Sequence, residues 1–168
     1  WTLSRGLGDV YKRQGNTIIK VGKINSEKST RVIDASGLIV SPGFIDTHAH
    51  LDPMDNFIKL SDSESHVRQG VTTSFGGPDG RGVPLKYGFK QYLDTIEKVG
   101  VGMNVGFLTG HNKIRRLVMN LDNREPTNDE LEIMKNLASK AMDEGAFGIS
   151  TGLKSVSYTH LRAHETES

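Results

Sequence analysis

The feature that most constrains this chain is one plan used three times without sequence identity. A helical stretch ends at Gly70, Gly100 or Gly145, and a short strand follows each: VTTSFGG (71–77), MNVGFLTG (103–110) and AFGISTG (146–152). Glycine just past a helix is the expected left-handed cap. The strands begin at 71, 103 and 146, so consecutive starts are 32 and 43 residues apart. That spacing leaves room for a helical crossover, and strands joined by crossovers run parallel. A further strand, FIDTHAH (44–50), precedes them and leads into the polar segment LDPMDN (51–56). Four strands at 44–50, 71–76, 103–109 and 146–151, alternating with helices, make an α/β chain. Such an arrangement is either half of an eight-stranded barrel or a small open sheet, and composition alone does not choose between them.

The helices carry their own signals. Thr127 and Glu130 form a T-x-x-E capping box after Pro126 and open a helix over 128–144. Leu131, Met134, Leu137, Ala138 and Ala141 form its inner stripe, and Met134 and Met142 read as core residues. A helix over 89–99 places Phe89, Tyr92, Leu93 and Ile96 on one side by the same spacing. Upstream, TIIKVGKI (17–24) and RVIDASGLIV (31–40) read as short strands around the polar turn NSEKST. Pro42 and Gly43 then end that run, because proline cannot donate to a ladder and glycine permits a sharp bend.

The two ends read differently. WTLSRGLGDVYKRQ (1–14) and SVSYTHLRAHETES (155–168) have no periodicity that joins them to their neighbours. Both resemble translated adapter sequence, so they are set aside as non-native, and His160 and His164 are dropped as ligand candidates with them. The remaining chain divides into 15–42, a small β region, and 43–154, the α/β region.

Composition excludes several classes of partner. Lysine plus arginine total 21 against 20 aspartate plus glutamate, which leaves no basic footprint for nucleic acid or an anionic membrane. The absence of cysteine removes disulfides and thiolate metal sites and fits a reducing, cytoplasmic setting. No apolar run approaches the roughly 18 residues of a membrane span. Oligomeric state has no signature in these residues.

The chemistry sits at His48-Ala49-His50. The two-residue period of a strand points both imidazoles to one face, at a strand's end, where two neutral rings on rigid backbone suit zinc or a similar divalent ion. Asp46 shares that face and can support His48 from beneath. Asp79 stands in G-G-P-D-G, and Asp-Gly is also a strong turn pair. His111, in TGHNKIRR just past the third strand, lines a substrate pocket or else caps the next helix. Arg115 and Arg116 read as solvated helix residues and His66 as a surface histidine. FGGPDGRG lacks the Lys-Ser/Thr of a phosphate loop.

SPGFIDTHAHLD (41–52) resembles the first-strand signature of the amidohydrolase superfamily, metal-dependent hydrolases on a (β/α)8 barrel. RQGVTTSFGGPDG (68–80), VGFLTGHNKIRR (105–116), REPTNDELEIM (124–134) and AMDEGAFGISTGL (141–153) are similar, in order and spacing, to the N-acyl-D-amino-acid deacylases, or D-aminoacylases. The resemblance covers nearly all of 15–154. It implies an N-terminal fragment: the first half of a TIM-type barrel, about four βα units, preceded by strands of a small β-sandwich domain. It also implies hydrolysis of the amide bond of N-acyl-D-amino acids to a carboxylate and a D-amino acid, with one or two divalent ions, Zn2+ or Mn2+. Carried over, His48 and His50 match the family's H-x-H, while Asp79 falls where the family often has cysteine in a G-N-C-G turn. A carboxylate is a harder ligand than a thiolate, which shifts the site toward oxygen-rich coordination. The family's later histidines and proton-shuttling aspartate have no counterpart here, so the fragment is expected to be inactive alone. Two alternatives stay open. A cyclic amidase of hydantoinase or dihydroorotase type shares the H-x-H but usually carries a carboxylated lysine, for which Lys154 comes closest. The other is a non-catalytic remnant of the barrel.

Overall fold

A computed structural model of the chain describes residues 2–4, 11–14, 17–22, 30–35, 37–51, 58–59, 61–83, 85 and 88–152. The chain divides into two units, residues 1–42 and 43–168.

In the first unit, β1 (Thr2–Ser4), β2 (Tyr11–Gln14), β3 (Thr17–Val21) and β4 (Val32–Asp34) form one sheet in the order β3-β2-β1-β4. β2 is antiparallel to both its neighbours, and β4 runs parallel to β1. The strands expected within 17–24 and 31–40 are present in shortened form. They lie at opposite edges of the sheet rather than side by side, because segments from 1–14 stand between them. β1 and β2 thus fall within 1–14, the segment set aside as non-native. Segments of three and four residues are too short to display the two-residue alternation on which a sequence reading depends.

The second unit is built on parallel pairing. β5 (Phe44–Ala49), β6 (Val71–Gly76) and β7 (Asn104–Phe107) form a three-stranded parallel sheet in that order. β8 (Thr109–Gly110) pairs in parallel with β9 (Ile149–Ser150). The strand expected over 103–109 is therefore one extended run that changes partner at Leu108. The Leu108 N–H donates to the Gly76 carbonyl at 3.0 Å, and the Thr109 N–H donates to the Gly148 carbonyl at 2.9 Å. Phe147 N–H closes the junction on the Phe107 carbonyl at 2.9 Å. The parallel pairing expected from the crossovers is present in both sheets.

The helices are α1 (Glu64–Val67), α2 (Phe89–Val99), α3 (His111–Met119) and α4 (Asn128–Asp143). Gly70, Gly100 and Gly145 all have positive φ, at 80°, 77° and 106°, as the repeated plan requires. The capping box of α4 is complete: Thr127 Oγ1 accepts from the Glu130 N–H, and the Glu130 carboxylate accepts from the Thr127 N–H. Arg124 grips the same carboxylate through both terminal nitrogens, at 2.7 and 2.6 Å, which with the Thr127 N–H pulls its pKa down to about 2. Gly88 offers α2 no capping side chain. Glu144, just past α4, takes that role by accepting from the N–H groups of Phe89 and Lys90 at 2.8 and 3.1 Å. This carboxylate ties the end of one crossover helix to the start of another.

The main core lies where α2 meets the sheet. Phe89, Tyr92 and Ile96 are buried there with Ala49, Met103 and Phe107, and the rings of Tyr92 and Phe107 meet edge to face at 4.8 Å. Ile114, Met119 and Met134 form a second cluster between α3 and α4. Three side-chain expectations are corrected, the first being Leu131, expected on the inner stripe of α4 but 38% exposed. Met142 is 46% exposed, because the buried face of α4 narrows to Met134 and Ala141 and position 142 lies one step round the helix. Arg115 is 3% exposed rather than solvated. Its guanidinium donates to the carbonyls of Asp122 and Arg124 at 2.9 and 2.7 Å and contacts Met119 Sδ at 3.0 Å, so the loop between α3 and α4 is folded onto it. Arg116 is exposed, as expected.

Phe89 has no exposed surface. Phe89→Ala is expected to lower unfolding stability by about 3–5 kcal/mol, read as a shift in the urea midpoint at constant slope.

Candidate metal centre

Parallel strands present all their C-terminal ends at one edge. His48 lies in the last turn of the β5 pleat and His50 directly follows that strand. Their rings are 5.5 Å apart, centre to centre, at an interplanar angle of 74°. Beyond β6 the chain makes a turn through Pro78, Asp79 and Gly80. The Asp79 Oδ2 lies 3.4 Å from His48 Nε2 and 3.3 Å from His50 Nε2. One ligand atom from each of the three residues falls within 4.8 Å of the others, and all three side chains are exposed.

These distances bear on what the three groups can do. A neutral pair joined by a good N–H···O hydrogen bond sits at about 2.7–3.2 Å. A tetrahedral ion with ligands at about 2.0–2.1 Å separates its donor atoms by about 3.3–3.4 Å. Both Asp79 separations match the second figure. Two imidazoles and a carboxylate also form a donor set that suits zinc, with a position left over for water. The residues present therefore fit a divalent ion.

Asp79 is a turn residue with φ of 54°, a left-handed conformation that aspartate tolerates better than most residues, and its carboxylate lies beside the two histidine rings. Asp46 is near His48 in another way than expected: Oδ1 accepts the backbone N–H of His48 at 3.0 Å, so it fixes the strand end rather than the ring.

His111 is the first residue of α3, at the same end of the parallel strands. It is half-buried, with Nδ1 3.5 Å from Thr151 Oγ1. Burial pushes its pKa below 6.5, and the Arg115 cation one turn away adds to this. His66 is half-buried beside Ser65 and is not one of the three grouped residues. Lys154, His160 and His164 lie outside the described residues. The sequence analysis gives no role to Asn112 or Ser150, yet both reach the Asp79 turn. A buried serine in a two-residue strand carries no periodic or motif signal that would single it out.

Residues 31–167 match the description amidohydrolase family. The chain belongs to that family. The match runs on through the C-terminal segment that the sequence analysis sets aside. D-aminoacylase of Alcaligenes xylosoxydans xylosoxydans is 32% identical over 159 residues, which are 83% of this chain and 32% of that protein. A solved D-aminoacylase structure, described for its binuclear metal centre, is similar with a TM-score of 0.80 and 31% identity, over 95% of this chain and 39% of the other. N-acyl-D-glutamate deacylase of Bordetella bronchiseptica, solved with zinc and a phosphonate mimic of the tetrahedral intermediate, gives a TM-score of 0.75 and 28% identity, over 86% and 34%. This amidohydrolase chain thus spans about a third of the length of the curated relative it matches. Its mixed α/β fold with parallel sheets matches theirs.

With its folded-state pKa below the unfolded value of 6.5, His111 favours folding above that pH and loses its contribution as pH falls below it. An NMR titration of the His111 ring is expected to give a midpoint below 6.5, and the acid-side stability loss is expected to shrink in His111→Gln.

Proposed function

We propose that this chain carries the first metal ligands of a metal-dependent deacylase that cleaves N-acyl-D-amino acids to a carboxylate and a D-amino acid. In this reading residues 43–154 are the first half of a (β/α)8 barrel, 15–42 belong to a small β-sandwich domain, and the whole is cytoplasmic. The observation that carries it is the convergence of His48, His50 and Asp79 at the C-terminal ends of parallel strands, in an amidohydrolase-family chain. His48 and His50 would hold one divalent ion through Nε2, with Asp79 Oδ2 as third ligand or bridge. Such an ion, Zn2+ or Mn2+, supplies a water acidic enough to ionise near pH 7 and polarises a substrate carbonyl.

The protein's own groups set the remaining terms. Asp46 fixes the strand end, so His48 approaches from a rigid backbone. His111, kept neutral by burial, offers the mouth of the site an imidazole that can accept or donate one hydrogen bond. The proton for the departing amine would come from an aspartate outside the residues that match here. A D-aminoacylase, an N-acyl-D-glutamate deacylase and an N-acyl-D-aspartate deacylase match over 83%, 91% and 86% of this chain and dihydroorotases over 42%, which does not favour the cyclic-amidase alternative.

Equilibrium dialysis of the purified chain against Zn2+ is expected to show binding that His48→Ala and His50→Ala each abolish. Binding that survives both substitutions, or none in the wild type, would favour the non-catalytic remnant. The purified chain alone is expected to release no amine from an N-acyl-D-amino acid. In a protein that joins these residues to the remaining length of the relatives, chelator-sensitive turnover of the D-substrate is expected. Hydantoin turnover in its place would favour the cyclic amidase.

A further inference from the structure

The turn that bears Asp79 is not held by a ladder. Four of its residues have positive φ: Gly77 at 83°, Asp79 at 54°, Gly80 at 72° and Gly82 at 48°. Asp79 and Gly80 are the two central residues of a turn closed by the Arg81 N–H, which donates to the Pro78 carbonyl at 3.0 Å, and positive φ at both is the pattern of an Asp-Gly turn. A buried side chain bonds this turn as well. The Gly80 N–H donates to Ser150 Oγ at 3.1 Å, and the Ser150 hydroxyl donates to the Gly77 carbonyl at 2.6 Å. One hydroxyl thus accepts from Gly80 and donates to Gly77, whose carbonyl also accepts from the Gly82 N–H at 3.3 Å. Both bonds are buried and span 70 and 73 residues of sequence.

A second buried side chain acts on the residue between them. Asn112 Nδ2 donates to the Asp79 carbonyl at 3.2 Å. From the other side, a Cβ added at Gly152 would run into that same carbonyl oxygen. Asp79 is therefore fixed from three directions by α3, β9 and the residue two past β9. A left-handed aspartate costs of order 1 kcal/mol or more and persists only where its surroundings hold it.

We propose that Ser150 is a positioning residue for the metal site: by bridging Gly77 and Gly80 on either side of Asp79, it aims the Asp79 carboxylate at His48 and His50. Asn112 supports it by fixing the Asp79 carbonyl. This rests on the reading of His48, His50 and Asp79 as metal ligands. Neither residue touches the ion; both act through the backbone of its third ligand. Groups that orient a metal ligand in this way typically change affinity by about 10–100-fold when removed.

The test is a thermodynamic cycle on the purified chain, with Zn2+ affinity read by competition with a chromophoric chelator and thermal midpoints recorded alongside. Ser150→Ala is expected to weaken Zn2+ binding by about 10–100-fold. Asp79→Asn is expected to weaken it comparably, and the double variant to bind no more weakly than Asp79→Asn alone. That lack of further loss separates positioning from a general loss of stability, which would weaken both backgrounds alike. Ser150→Thr, which keeps the hydroxyl, is expected to retain most of the affinity. Should Ser150→Ala fail to fold, Gly152→Ala pushes on the Asp79 carbonyl directly and is expected to give the same pattern. Affinity unchanged in Ser150→Ala, or a loss that adds in full to that of Asp79→Asn, overturns the inference while leaving the ligand reading intact. A wild-type chain without His48-dependent binding overturns both.

Discussion

Everything in the second unit depends on the parallel pairing of β5, β6 and β7, continued by β8 with β9. Parallel strands cannot be joined by tight turns, so each is followed by a crossover, and every crossover leaves from the same edge. His50, Asp79, His111 and Thr151 all lie just past strand ends, and this is why residues spread over a hundred positions meet in one place. The change of partner at Leu108 matters most here. It lets one extended run hold β6 on one side and β9 on the other, so Ser150 is carried to the turn after β6 rather than to a distant part of the unit.

What the sequence made legible follows from the range of each interaction. Helix starts and ends were readable because they are set by neighbours: Thr127 with Glu130, and glycines at 70, 100 and 145. The histidine pair was readable because a strand's two-residue period is strictly local. Long-range contacts left no such trace. The burial of Arg115 depends on carbonyls at 122 and 124 that fold back onto it, and nothing in the local pattern distinguishes it from the exposed Arg116. The cap of α2 comes from Glu144, 55 residues away, because Gly88 has no side chain to offer. The first unit repeats the lesson: β3 and β4 were readable as strands, but their separation across the sheet was set by segments with no periodicity to read.

Asp79 stands between these extremes. The Asp-Gly pair signals a turn, and the resemblance to G-N-C-G turns signals a ligand; the two readings looked like competitors only on the assumption that a turn residue points away from chemistry. In the structure the left-handed backbone at 79 is what lets a short side chain double back toward β5. Aspartate is among the few residues other than glycine that accept this conformation readily, and it is also a metal ligand. Cysteine would bring the softer donor but a less tolerant backbone, and this chain contains none.

The Asp79 turn is closed by its own backbone bond, from the Arg81 N–H to the Pro78 carbonyl, and is held by Ser150 and Asn112 besides. Ser150 accepts from the Gly80 N–H and Asn112 donates to the Asp79 carbonyl, so a flip of the peptide between residues 79 and 80 would break hydrogen bonds to two elements. Leaving a buried polar group without its partner costs about 1–3 kcal/mol, comparable to the strain of the left-handed residue itself. The strain at Asp79 and the restraint around it are thus of similar size. That balance is what holds a carboxylate on an otherwise exposed edge at a fixed 3.3–3.4 Å from two imidazoles.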